Sequence, residues 1–239
     1  MAREWAHGRF QCTKAWKMRL GTTVPDFSAD STDGPLRWHE YIEGAWAVLF
    51  SHPSDFTPVC TTELGSVARL QGEFKKRGVK VAALSCNDTK SHEAWIKDIE
   101  SLPEFCGQCK VAFPIVSDPG RDVATLYGML DPDEKDAEGM PMTCRAVFVI
   151  KPDKTLASSI LYPATTGRNF QEVLRLIDSL QLTAKHSVAT PADWCTGRDC
   201  MVAPALSDEE ASAKFPGGFR TIQVPSKRGY LRVTGDPSG

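Results

Sequence analysis

FSHPSDFTPVCTTE, residues 50–63, is the stretch whose reading decides the fold. It closes an apolar run, AWAVLF at residues 45–50, which is short and rich in Val, Phe and Trp as a buried strand is. Ser51, His52 and Pro53 end the run, and a loop leads to Thr57-Pro58-Val59-Cys60. A helix is predicted to start there. Thr57 suits the N-cap, Pro58 the first helical position, and apolar residues recur at Leu64, Val67, Ala68 and Phe74. Cys60 then falls in the first turn, beside backbone N–H groups without intrahelical partners and the positive end of the helix dipole. Both stabilise a negative sulfur, which makes Cys60 the candidate nucleophile. The competing reading is a small buried hydrophobe, the commoner fate of a free cysteine.

Outward from this stretch, the helix runs to about Arg77, Gly78 closes it, and VKVAALS at residues 79–85 is a second strand. A right-handed crossover makes the two strands parallel neighbours or near neighbours. Upstream, residues 21–27 read as a short extended segment and Asp33-Gly34-Pro35 as a turn. Downstream come a helix at 89–99, a third core strand at 113–117, a short helix at 121–127 and a surface loop at 131–141. Residues 144–150 and 156–161 form a hairpin around the turn residues 151–155. A last helix opens at Gly167 or Asn169 and runs to Leu182, with Phe170, Val173, Leu174, Ile177 and Leu180 on its apolar face. The pattern implies an α/β fold, a mixed sheet with helices on both faces, and a thioredoxin-like topology matches it best. From about Ala184 the composition turns to Pro, Gly and polar residues, with a short strand at 230–234. The expected organisation is therefore an N-terminal extension (1–17), a thioredoxin-like domain (18–183) and a small C-terminal domain (184–239).

The 239 residues carry 28 basic and 30 acidic side chains, a net charge of −2, which leaves no electrostatic footprint for nucleic acid or an anionic membrane. No run of 18 apolar residues exists. Eight cysteines, in a chain too long for a small stapled domain and without a secretory leader, fit a reducing, intracellular setting. The segment MAREWAHGRFQCTKAWK, residues 1–17, is basic with one acid, Glu4, and reads as a targeting leader, a native extension or an expression remnant. A cytoplasmic protein is expected, or a mitochondrial one if the segment is a leader.

DFTPVCTTEL, residues 55–64, resembles the active-site signature of the peroxiredoxins, and with SHP before it is similar to their one-cysteine, peroxiredoxin-6-type subgroup. Further landmarks are similar too: GTTVPDF (21–27), GMLDP (128–132), GMP (139–141), RAVFV (145–149) and YPATTGRNF (162–170). The resemblance spans residues 19–235. It implies a thioredoxin-like fold and a thiol-dependent peroxidase that reduces hydrogen peroxide and organic hydroperoxides in antioxidant defence. The implied cycle runs through a Cys60 sulfenic acid resolved by an external thiol, glutathione or a thioredoxin-like protein, without metal or cofactor. Cys60, Thr57, Pro58 and Arg145 match the family's catalytic set position by position. A homodimer formed through the C-terminal domain is also implied.

The chemistry needs more than an ionised thiol. A cysteine with a reference pKa of about 8.5 is roughly 3% ionised at pH 7, so full ionisation gains only about 30-fold, or about 2 kcal/mol. The rest must come from groups that stabilise charge as the O–O bond breaks. Arg145 opens an apolar strand, an unfavourable place for a cation without a partner, and its guanidinium suits both thiolate and peroxide oxygen. The Thr57 hydroxyl, one turn before Cys60, can donate or accept toward the same oxygens, and Pro58 would cover the sulfur. His52 reads either as a pocket histidine or as one packed at the strand end. Arg168 reads as a second pocket arginine or as a helix-start residue.

Cys106-Gly-Gln-Cys109 has the spacing of a redox dithiol but follows a loop and precedes a strand, where such a motif is expected at a helix start after a strand. No second nearby pair completes a zinc site. Cys195 and Cys200 lack the Val-Cys-Pro context of two-cysteine relatives, and Cys86 and Cys144 read as core. Some relatives carry a phospholipase serine in a Gly-Asp-Ser-Trp-Gly context. The matching segment here is EGAWA, residues 43–47, with Ala45 at the nucleophile's place, so His39 and Asp153 are expected to have local structural roles.

Overall fold

The computed structural model describes residues 18–238; the N-terminal extension, Cys12 included, lies outside the described residues. Its strands and helices follow in the order β1 (Ser28–Ser31), β2 (Gly34–Arg37), α1 (Trp38–Tyr41), β3 (Trp46–Ser51), α2 (Pro58–Lys76), β4 (Val79–Ser85), α3 (Thr89–Ser101), α4 (Pro103–Cys106), β5 (Ile115–Ser117), α5 (Asp122–Tyr127), β6 (Leu130–Lys135), β7 (Pro141–Thr143), β8 (Arg145–Ile150) and β9 (Leu156–Tyr162). Seven strands form one mixed sheet in the order β2-β1-β5-β4-β3-β8-β9. β3 pairs in parallel with β4 from Trp46↔Val79 to Ser51↔Leu84, and β4 in parallel with β5. β8 lies antiparallel to β3 on its other side, with Phe50 opposite Val147.

The apolar run of β3 follows from burial on both faces. Ala47 and Leu49 join Ala82, Leu84, Ala146, Phe148 and Ile150 in one cluster with Val123, Ala124 and Tyr127 of α5. Strand alternation sends Val48, Phe50, Val147 and Val149 to the opposite face, where they too are buried. Phe50 meets Phe113 edge-on there, ring centroids 5.9 Å apart. The fold is the thioredoxin-like one expected, with helices flanking a large sheet and a C-terminal domain after it.

Residues 69–78 and the chain from Arg168 onward form a second compact unit. Within it, α6 (Phe170–Lys185) starts at Asn169, whose side chain accepts from the Gln171 and Glu172 N–H groups. Arg77 pairs with Asp178 of α6 through two bonds of 2.6 and 3.0 Å. β10 (Val188–Ala189), β11 (Cys200–Val202), α7 (Asp208–Lys214), β12 (Arg220–Thr221) and β13 (Arg232–Thr234) follow, the strands ordered β10-β11-β13-β12. Trp194, Cys200, Val202, Ala211 and Phe215 fill this unit's own core. The compositional shift at residue 184 marks where α6 gives way to short strands.

Residues 21–27, the short extended segment, make an isolated bridge, Thr23↔Thr155, and the first strand lies at 28–31; Pro25 has no N–H to give a ladder. Two expectations are corrected. The segment 131–141, polar enough to read as a loop, forms most of the antiparallel ribbon β6–β7. Arg121 clamps it by donating to the Pro141 carbonyl at 2.8 Å and pairing with Asp136. α6 is not the last helix, because Ser207 and Glu210 build a capping box that starts α7.

Candidate active site

Cys60 is the third residue of α2 and is fully buried. The chain reaches it through Phe56, which is 55% exposed and holds φ at +53°, a left-handed conformation that costs a bulky residue of order 1 kcal/mol or more. Thr57 stands immediately before the helix. Its carbonyl accepts from the Thr61 N–H at 3.0 Å and the Thr61 hydroxyl at 2.8 Å, while its own hydroxyl donates to the Ser54 carbonyl at 2.9 Å. Pro58 occupies the first helical position and is exposed.

The pairing of β8 with β3 puts Arg145, the first residue of β8, beside the point where the chain leaves β3. Its Nη1 lies 3.3 Å from Cys60 Sγ and 2.8 Å from Glu63 Oε2. Nε and Nη2 both donate to the Ala164 carbonyl, at 2.9 and 2.6 Å, just past the end of β9. Arg145 and Glu63 are buried together, and each is 3% exposed. The cation is thus aimed, because a carboxylate and a carbonyl fix the guanidinium plane while one N–H points at sulfur.

A second buried network holds the loop between β3 and α2. His52 Nε2 meets Asp55 Oδ1 at 2.9 Å, and Asp55 Oδ2 takes His92 Nδ1 at 2.8 Å and the Ser91 hydroxyl at 2.7 Å. The Asp55 N–H donates to Asn87 Oδ1 at 3.0 Å, and the Thr143 hydroxyl donates to the His52 carbonyl at 2.6 Å. Burial pushes the Asp55 carboxyl up, but hydrogen bonds from His52 and His92 outweigh it and hold the group well below the usual carboxylate range. Trp95 stacks 5.0 Å from His52 at a tilt and donates to Thr61 Oγ1 at 3.1 Å, which ties α3 to the turn that carries Cys60. The ligand atoms of His52, Asp55 and His92 lie within 4.8 Å of one another, as a cation site requires. Here each carboxylate oxygen faces a ring nitrogen at hydrogen-bond distance, so the cluster reads as a hydrogen-bonded network, with His92 Nε2 buried and not hydrogen-bonded.

The structure therefore brings Cys60 and Arg145 into contact, sets Thr57 and Pro58 at the same helix start, and places His52 in the loop network. Arg168 is buried in the second unit with its guanidinium 5.3 Å from the Phe170 ring. The preceding Gly167 lies so close to Val59 that a Cβ there would sit 3.3 Å from Val59 Cγ1. Sequence reasoning missed Glu63, Asp55, His92 and the Ala164 carbonyl. Glu63 alone carried a signal, since residues three apart share a helix face. His39 Nε2 lies 3.0 Å from the Val24 carbonyl, and Asp153 accepts from Thr155 at 2.9 and 2.6 Å, so each has a local partner.

Residues 20–159 match the AhpC/TSA family, and residues 179–218 match the C-terminal domain of 1-Cys peroxiredoxin. The chain is 54% identical to Peroxiredoxin-6 of Rattus norvegicus over 218 residues, covering 91% of this chain and 97% of that protein. It is 51% identical to the 1-Cys peroxiredoxin PER1 of Zea mays over 224 residues, covering 91% and 98%. Among solved structures, a cysteine-to-serine mutant of the Peroxiredoxin 6 of Arenicola marina superposes with a TM-score of 0.89 at 54% identity, over 93% of this chain and 100% of that one. A yeast mitochondrial 1-Cys peroxiredoxin, solved to explain thiol resolution via the glutathione and thioredoxin systems, gives 0.82 at 44% identity, over 92% and 100%.

Proposed function

This chain belongs to the AhpC/TSA family, in its one-cysteine peroxiredoxin branch, and we propose that Cys60 is the thiol through which it reduces peroxides. It is a thiol-dependent peroxidase. In the proposed cycle the Cys60 thiolate attacks the terminal oxygen of a hydroperoxide. An S–O bond forms, the O–O bond breaks, and the departing oxyanion takes a proton to leave as water or alcohol. An external thiol then attacks the sulfenic sulfur and releases water, and a second thiol frees Cys60 as a disulfide forms between the two reductants.

The observation that carries this reading is the 3.3 Å contact between Arg145 and Cys60 Sγ, with the guanidinium anchored on its other sides. A unit charge pair at that distance is worth roughly 5 kcal/mol at an effective dielectric of about 20, and the buried Glu63 carboxylate offsets part of it. Four of the five guanidinium N–H groups are engaged by Sγ, Glu63 and Ala164. The fifth is the donor proposed for a peroxide oxygen. Thr57 is proposed to contribute its hydroxyl, Pro58 to shield the sulfur, and His52 and Arg168 to line the approach. Peroxide consumption by the purified protein, with glutathione, thioredoxin or ascorbate supplied separately, tests the reading. Turnover should require a thiol and vanish in Cys60→Ser; turnover that survives the substitution contradicts it.

We also propose a homodimer and a cytoplasmic setting. β9 is an edge strand of the large sheet, and Leu161 on it is 58% exposed, which leaves a partly apolar edge for a second copy to cover. Sedimentation at micromolar concentration should give about twice the 26.2 kDa chain mass. A monomer alone contradicts the dimer.

A further inference from the structure

The thiols of Cys106 and Cys109 take no part in the site described above. α4 ends at Cys106, and Gly107 follows at φ +70°, a turn that a side chain there would strain. The chain folds back at once. The Cys109 N–H donates to the Cys106 carbonyl at 3.4 Å, and Cys106 Sγ lies 3.1 Å from the Cys109 carbonyl oxygen. Such a four-residue turn brings its first and fourth Cα atoms within about 7 Å, and a disulfide needs about 4.4–6.8 Å. The sequence spacing, which read poorly as a helix-start dithiol, is therefore a turn that closes on itself.

The two thiols differ in access. Cys106 is fully buried, while Cys109 is half-buried, and both are free in the structure. Burial pushes the Cys106 thiol up, and the neighbouring Cys109 and Glu100 push it the same way, so attack by an outside reagent begins at Cys109. The turn is also firmly seated. A Cβ on Gly65 of α2 would lie 3.1 Å from Phe105 Cβ and 3.3 Å from the Cys106 nitrogen, so only glycine lets the two backbones approach this closely.

We propose that Cys106 and Cys109 form a second thiol–disulfide centre, separate from Cys60, that exchanges with low-molecular-weight disulfides. Cys109, as thiolate, attacks one sulfur of the disulfide; a protein–reagent mixed disulfide forms and the other reagent half leaves as a thiolate that takes a proton. Cys106, losing its proton to solvent, then attacks the Cys109 sulfur. The Cys106–Cys109 bond forms and the second reagent thiol leaves. Two protein thiols are oxidised and one disulfide is reduced to two thiols, so the balance closes without peroxide. The disulfide that thiol-dependent turnover generates is the matching oxidant, which makes the centre a reporter of the reductant pool.

The test uses full-length Cys60→Ser, so its outcome is independent of the reading of Cys60. The protein is equilibrated in glutathione buffers of increasing oxidised fraction, free thiols are alkylated, and the tryptic peptide covering residues 98–110, which holds both cysteines, is weighed. That peptide should lose two hydrogens as the oxidised fraction rises and regain them with dithiothreitol. With Cys106→Ser added, Cys109 should instead retain glutathione. Both cysteines staying alkylated throughout, glutathione persisting on Cys109 while Cys106 is present, or either cysteine bridging to another residue overturns the proposal.

Discussion

Cys60 and Cys106 are both 0% exposed, yet their surroundings are electrically opposite. Cys60 lies in the first turn of a 19-residue helix with a guanidinium nitrogen 3.3 Å from its sulfur. Cys106 lies in the last position of a four-residue helix, its sulfur 3.1 Å from a carbonyl oxygen, with Glu100 among the groups that disfavour its anion. Burial alone works against a thiolate in either place. What separates a peroxide nucleophile from an ordinary buried thiol is the supply of positive charge and N–H dipoles around the sulfur.

The sharpest way to break that contrast is to remove the cation. Arg145→Ala should slow the reaction with peroxide by at least about 30-fold, about 2 kcal/mol, the scale of one lost electrostatic donor. It should also lower stability by about 2 kcal/mol, because buried Glu63 loses its 2.8 Å charged hydrogen bond to Arg145. Stopped-flow peroxide reduction and urea unfolding read the two effects; wild-type rates in the variant would remove Arg145 from the site.

A smaller effect is expected at the loop network. Asp55→Asn leaves the side chain's size but removes the charge that both imidazoles face, and should cost about 2 kcal/mol at pH 7. The sign with pH follows from the direction of the shift. A carboxyl held below its unfolded value near 3.9 gives its full stabilisation above that pH and loses it as pH falls below. The stability gap between wild type and Asp55→Asn should therefore be widest near neutrality and narrow below about pH 4. Equilibrium unfolding at several pH values checks it; a gap that does not depend on pH would mean the carboxylate is not ionised in the fold.

The smallest effect belongs to the other side of the comparison. Cys106→Ser should leave the rate of the first reaction with peroxide unchanged, because the Cys106 sulfur faces a carbonyl oxygen where Cys60 faces a guanidinium. A single-turnover rate that falls with this substitution would tie the two cysteines into one pathway.

Local signals made the core legible in the sequence. The start of α2 was marked by Thr57 and Pro58, its end by Gly78, and β3 and β4 by unbroken apolar runs. The ribbon β6–β7 was not legible, since Asp131, Asp133 and Glu134 carry no strand propensity and the pairing rests on backbone bonds and the Arg121 clamp. The same division holds within the site. Cys60 and Thr57 lie within one helical turn and are visible together. Arg145 is 85 residues from Cys60, and only the resemblance joined them before the fold did. His92 and the Ala164 carbonyl had no signal at all, because an imidazole 37 residues from Asp55 and a main-chain oxygen gain meaning only through topology.

Mass spectrometry of the wild-type chain after one equivalent of hydrogen peroxide, with sulfenic acid trapped by dimedone, tests the central claim most directly. The account predicts the adduct on Cys60, conversion to sulfinic acid at excess peroxide, and regeneration of the thiol when glutathione or thioredoxin replaces the trap. A quantitative disulfide from Cys60 to Cys106, Cys109, Cys195 or Cys200, or an adduct on another cysteine with Cys60 untouched, would contradict it.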